Sequence, residues 1–217
     1  MNGAATWRMA RHMVWLALAV PALGLAAPAT VRPAVTESPQ AASKAANAVA
    51  PLLRVKPADS LLAFTAKQIG VPMEGRFRRY DAQIRLDPKR PETGQVQVSI
   101  DLGSVAMGAE EDDMLKSADW FHIAKFPKAT FVSQQIKSVG PGRLQVSGVF
   151  TLKGVARPLV VPVTLTPTAG EWVATGRFSL PRLAYQVGSG EWADINVIAD
   201  EVVVQFSLRL QGTPAVK

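Results

Sequence analysis

Chemistry has few places to sit in this chain. Cysteine is absent from its 217 residues and histidine occurs only twice, at His12 and His122. Disulfides and thiolate nucleophiles are therefore excluded, and a conventional zinc site lacks its usual ligands. His122 stands beside Trp120 and Phe121. As a general base it would need a nucleophile and an orienting acid, and no nucleophile-elbow motif accompanies it. It reads instead as a hydrogen-bonded residue of a pocket or its rim. Glu110 to Asp113 put four acids in a row but lack the spaced ligands of a calcium loop. They read as helix-start charges that oppose the positive end of a helix dipole, so no metal site is assigned.

Two further strings resemble ligand motifs. Gly188-Ser189-Gly190 with Ala193 spells a dinucleotide fingerprint, but no helix pattern follows it and no parallel unit surrounds it. It reads as a loop, and no cofactor is expected. Arg76-Phe77-Arg78-Arg79-Tyr80 interleaves cations with aromatics as single-strand nucleic-acid binders do. In an exported chain with acids nearby, nucleic acid is not the expected partner. The string is either a solvated strand face or a set of head-group contacts through Arg76, Arg78 and Arg79.

The elements that would position these residues are mostly strands. Val96, Val98, Ile100 and Leu102 alternate with Gln95, Gln97, Ser99 and Asp101, which is the period of a half-buried strand. The same pattern runs through Tyr80 to Leu86, Leu144 to Leu152 and Val202 to Leu210. Further strands are predicted at 61–68, 130–138, 159–166 and 172–180, separated by turn signals such as Asp87-Pro88, Pro141-Gly142 and Gly188 to Gly190. About eight antiparallel strands, several of nine residues or more, predict an all-β barrel, with a two-sheet sandwich as the competing architecture. Gly75, Gly148 and Gly176 fall in or beside strand patterns, where barrel walls bend.

Glu110 to Phe131 interrupts this alternation. Met114, Leu115 and Ala118 share one face of a short helix, and Trp120, Phe121 and Phe126 follow before Pro127 stops it. A helix with an aromatic plug between strands predicts a lid or floor. The plainer reading is a surface helix whose aromatics complete the core. The large aromatics on or beside inward faces are Phe64, Phe77, Trp120, Phe121, Phe126, Phe131 and Phe150. With His122 they form the expected cavity lining.

Residues 1–29 have the three parts of a secretory signal: Arg8 and Arg11 without acids, an apolar run from Met13 to Leu25, and Ala26 to Ala29 for cleavage. An uncleaved anchor is the other reading. Removal takes two arginines and no acid from a formal charge of +7, leaving +5. Residues 30–51, rich in Ala and Pro, read as a linker or disordered arm. Residues 52–217 are expected to form one domain.

Four segments, in order, resemble the YceI-like family of lipid- and polyisoprenoid-binding proteins. They are Ser60 to Phe64 with Met73 to Phe77; Met114 to Phe121 with Phe126 to Phe131; Val146 to Pro158; and Asp200 to Leu210. The resemblance implies a lipocalin-like antiparallel barrel whose elongated apolar cavity takes a prenyl chain, residence in the periplasm, and frequent dimerisation. Family members often carry an Arg-Asp pair and a His where this chain has Glu111-Asp112 and Met114, so a head-group contact through them is not carried over. The function so implied is non-enzymatic binding, carriage or storage of an isoprenoid-type lipid, a polyprenyl chain or quinone. The alternative is an interaction module with a side-chain-filled barrel serving a membrane redox or stress system, such as a cytochrome b-type partner.

Overall fold

The computed structural model of the chain describes residues 50–87 and 89–212. The signal peptide expected at 1–29 and nearly all of the linker expected at 30–51 lie outside the described residues, as do the last five.

Among the described residues, eleven strand segments form one antiparallel sheet: β1 (Leu52–Val55), β2 (Leu61–Gln68), β3 (Val71–Phe77), β4 (Tyr80–Arg85), β5 (Gln95–Asp101), β6 (Val105–Ala106), β7 (Lys128–Gly140), β8 (Arg143–Leu152), β9 (Val155–Thr168), β10 (Glu171–Pro181) and β11 (Glu201–Gly212). They are eight staves rather than eleven, because β1 with β2, β3 with β4, and β5 with β6 are each one interrupted stave. Neighbours pair in chain order, and β11 closes the circle by pairing β2 through Val203–Ser207 and β1 through Leu210–Gly212. The result is a closed eight-stave barrel without a long free edge.

Each interruption has a local cause. Pro57 removes a ladder donor between β1 and β2, and the Ser60 hydroxyl mends the gap by donating to the Lys56 carbonyl (2.7 Å) and accepting from the Arg209 amide (2.9 Å). Ser104, buried, does the same where the breaks of two adjacent staves meet. Its hydroxyl accepts from the Arg79 amide (2.9 Å) and donates to the Asp101 carbonyl (2.6 Å). Glu171, on β10, ties the seam from outside by accepting from Lys56 and from Arg209 (3.3 Å). The Lys56 contact, with that of Arg209, holds its carboxyl below the usual carboxylate range.

The ends of the barrel differ. One end carries the β7–β8 and β9–β10 turns and both ends of the described chain. The other carries the β2–β3 and β8–β9 turns, the helix α1 (Ala109–Lys116), the plug that follows it and the loop 182–200. α1 begins one residue before the four acids and ends at Lys116 with Ser117 as its C-cap, so Ala118 is exposed beyond it. Asp112 accepts the amides of the N-cap Gly108 (3.4 Å) and of Met107 just before it (2.7 Å), which fixes the entry of the chain into the helix.

Candidate functional site

The alternating apolar residues face inward, yet they do not fill the barrel. Val202, Val204, Phe206, Leu208 and Leu210 of β11 all line one cavity, about 27 Å of strand at the usual rise. Val96, Val98 and Ile100 line it from β5, and Phe131 and Ile136 from β7. Its volume is about 270 Å³ and its surface is almost wholly apolar.

Three glycines keep this lumen open. Gly75 pairs with Phe64 and Gly176 with Phe206 across neighbouring strands, and Gly148 faces Phe131. In each case the ring lies over the glycine, so a β-carbon there would stand 2.3 Å, 2.4 Å and 2.8 Å from the respective ring. The missing side chain lets a phenyl ring fold flat on the wall instead of projecting into the space, the device known as aromatic rescue of glycine. Gly75→Ala is expected to swing the Phe64 ring into the lumen, because the atoms nearest the new β-carbon belong to the Phe64 and Met107 side chains rather than to backbone. Ligand affinity should fall at least tenfold while the fold persists, measurable by titration beside a thermal melt.

One end of the cavity is shut. Leu53, Leu86, Ile136, Leu165 and Leu210 are all buried there. At the other end Trp120 and Phe121 form the floor together with Tyr185 and Val187. Trp120 is 5% exposed and packs between Trp192 (5.7 Å between centroids) and the Arg182 guanidinium (5.9 Å).

Arg182 organises this floor. It is 4% exposed, and its five N–H donors meet five backbone carbonyls. Nε donates to Ala199 (3.1 Å), one terminal nitrogen to Val187 and Gly188 (3.0 and 2.8 Å), and the other to Trp192 and Ile198 (2.7 and 2.8 Å). Burial disfavours its charge and Asp200 favours it. Lys153, also buried, donates to the carbonyls of Asp119 (3.0 Å) and Gln186 (2.7 Å), joining the plug to the loop. Burial lowers its pKa, and Asp119 opposes that shift. Both cations are spent on backbone and are not presented to a ligand.

Among all lining residues only Lys67 and Gln68 are exposed, and half-buried Met73, Met107, Glu111 and Met114 surround them. The mouth therefore lies between the β2–β3 tip and α1. Unbranched, polarisable methionines make an adaptable rim for an apolar chain.

Of the residues singled out in the sequence, Phe64, Phe77, Trp120, Phe121, Phe131 and Phe150 line the cavity. His122 and Phe126 do not. His122 has a left-handed backbone (φ 51°), and this turn sends Trp120 and Phe121 inward but His122 and Phe126 away. The two rings meet edge to face (5.8 Å), and Phe126 covers Gly154 of the β8–β9 turn. Arg76, Arg78 and Arg79 are exposed and off the wall, and Arg79 pairs with Asp101 at 2.9 Å. Arg182, Lys153 and the methionine rim had no sequence signal: each depends on which loops the barrel brings to one end. The glycine-rich string at 188–190 lies in the floor loop and leads into one short 3-10 turn, Gly190–Ala193.

Residues 53–210 match the model of the YceI-like domain family. The crystal structure of Burkholderia cenocepacia BcnA is 36% identical, with a TM-score of 0.70 over 71% of this chain and 98% of that one. A Vibrio cholerae UPF0312 protein is 29% identical over 73% of this chain and 89% of its own. A polyisoprenoid binding domain from Saccharophagus degradans shares the fold (TM-score 0.61) at 20% identity, over 76% of this chain and 99% of that one.

Proposed function

The chain belongs to the YceI-like family, and from that premise we propose that it is a periplasmic carrier or store for an isoprenoid-type lipid, a polyprenyl chain or quinone. The single observation that carries this reading is the elongated, almost wholly apolar lumen, open at a methionine rim and shut at the far end. The ligand class is supported by the Saccharophagus degradans structure of the same fold, which is that of a polyisoprenoid binding domain. The Met1–Ala29 pattern supports export. No enzymatic step is proposed. A side-chain-filled interaction module is the weaker reading, because the inward faces leave a cavity. Homodimerisation and a membrane cytochrome b-type partner belong to the same proposal.

The energetics suit a tail without a gripped head. At about −0.3 kcal/mol per heavy atom, every ten buried chain carbons contribute roughly −3 kcal/mol, so affinity is set by how much of the chain the lumen takes. Trp120 and Trp192 in the floor provide the readout. Polyprenols of increasing length should change tryptophan emission, with affinity rising roughly a hundredfold per ten carbons until the lumen is full. Emission that ignores every polyprenol and quinone would remove the proposal.

A further inference from the structure

The mouth is flanked by apolar side chains that point into solvent. Ile69 is 73% exposed and Val71 59% at the β2–β3 tip, and Ile195 is 58% exposed in the floor loop. The two segments are tied together. The Ile69 amide donates to the Val197 carbonyl (2.8 Å), the Ala199 amide to the Lys67 carbonyl (2.9 Å), and Gln68 bridges Ile198. Val71 continues the inward face of β3 one step beyond Met73, past the rim.

The tip itself is costly to build. The β2–β3, β8–β9 and β9–β10 connections are two-residue turns with positive φ at both central residues, a geometry that favours Asn-Gly or Asp-Gly. The first positions hold Ile69 (φ 50°), Lys153 (φ 50°) and Ala169 (φ 46°). Lys153 uses the turn to reach two carbonyls, and Ala169 has the smallest side chain an L-residue can bring. Ile69 alone is β-branched, for which a left-handed backbone is an outlier. It gains no burial in return. Strain held for an exposed apolar side chain beside a cavity mouth points to a use outside the free protein.

We propose that the Ile69–Val71 tip and Ile195 dock the barrel mouth-first on the surface of a lipid bilayer, so that an apolar chain passes between bilayer and lumen without crossing water. Continuity identifies the occupant: the patch adjoins the Met73, Met107 and Met114 rim of a lumen whose apolar cargo would reside in a bilayer. Among the described residues no helix is long and apolar enough to cross a membrane, and docking through a turn tip needs none. The choice of a bilayer as occupant rests on the carrier reading, while flotation of the protein and uptake of the chain can fail independently.

The test compares the protein with Ile69→Asn/Ile195→Ser in flotation with phosphatidylcholine–phosphatidylglycerol vesicles. In parallel, polyprenol is supplied either within those vesicles or from an ethanol stock. Ile69→Asn alone is expected to raise the melting temperature by a few degrees, because asparagine tolerates the turn; this also certifies folding. The double variant should lose at least tenfold in vesicle-bound fraction and in uptake rate from vesicles, yet bind ethanol-delivered polyprenol within twofold of the parent. Equal flotation and equal uptake by both proteins would overturn the docking. So would a parent that never floats but forms dimers abolished in the variant, which would assign the patch to a second copy. Ile69-dependent flotation without polyprenol binding by either route would uphold the docking and remove the carrier reading alone.

Discussion

Arg182→Leu is expected to cost about 3–5 kcal/mol, a large part of the roughly 5–15 kcal/mol that holds a domain folded. The substitution keeps bulk against Trp120 but leaves five backbone carbonyls without their donors, and each buried unpaired polar group costs about 1–3 kcal/mol. The sum is not additive, because the loop would open and let water reach some of them. That opening is the functional consequence. Residues 182–200 carry Tyr185, Val187 and Ile198 of the cavity lining, so the floor should loosen with the loop. Arg182→Lys should recover little, since an ammonium has three donors and no planar fork. Denaturant titration gives the loss, and amide exchange should rise first across 183–199, with the staves protected longer.

Val204→Trp is expected to separate stability from binding. Val204 faces the lumen at mid-barrel, between Phe64 of β2 and Phe178 of β10 in the register. In a filled barrel the larger side chain would overpack the core and cost about 1–3 kcal/mol. In an open lumen the indole has room, so the melting temperature should hold or rise while polyprenol affinity falls at least a hundredfold. A variant that melts much earlier and binds as before would contradict the cavity.

What is legible in the sequence follows from periodicity. The two-residue alternation of β5 and β11 names the inward faces correctly, because in a strand burial is written into every second residue. The turn residues place most hairpins, and the inserted helix and plug stand out by breaking the alternation. The glycines are visible too, but their partners are not: that Phe64 and Phe206 lie over Gly75 and Gly176 depends on cross-strand register. β1 escapes because four residues show no period, and the serine-mended interruptions escape because single hydroxyls leave no pattern. His122 and Phe126 fall among the expected lining because they adjoin Trp120 and Phe121. A left-handed residue at His122 reverses the direction of neighbouring side chains, and nothing in the local sequence announces it. Arg182 is invisible for a deeper reason. Its five partners are backbone carbonyls from 187 to 199, and backbone atoms carry no sequence identity.

An isoprenoid-type lipid held in the lumen should travel with protein isolated from its native cells without detergent, extracted with organic solvent and examined by mass spectrometry. The expected extract holds a polyprenyl or quinone lipid in near-stoichiometric amount, much reduced in an identically prepared Val204→Trp sample. An extract without such a lipid, from a protein that also fails to take one up when it is offered, would contradict the carrier reading.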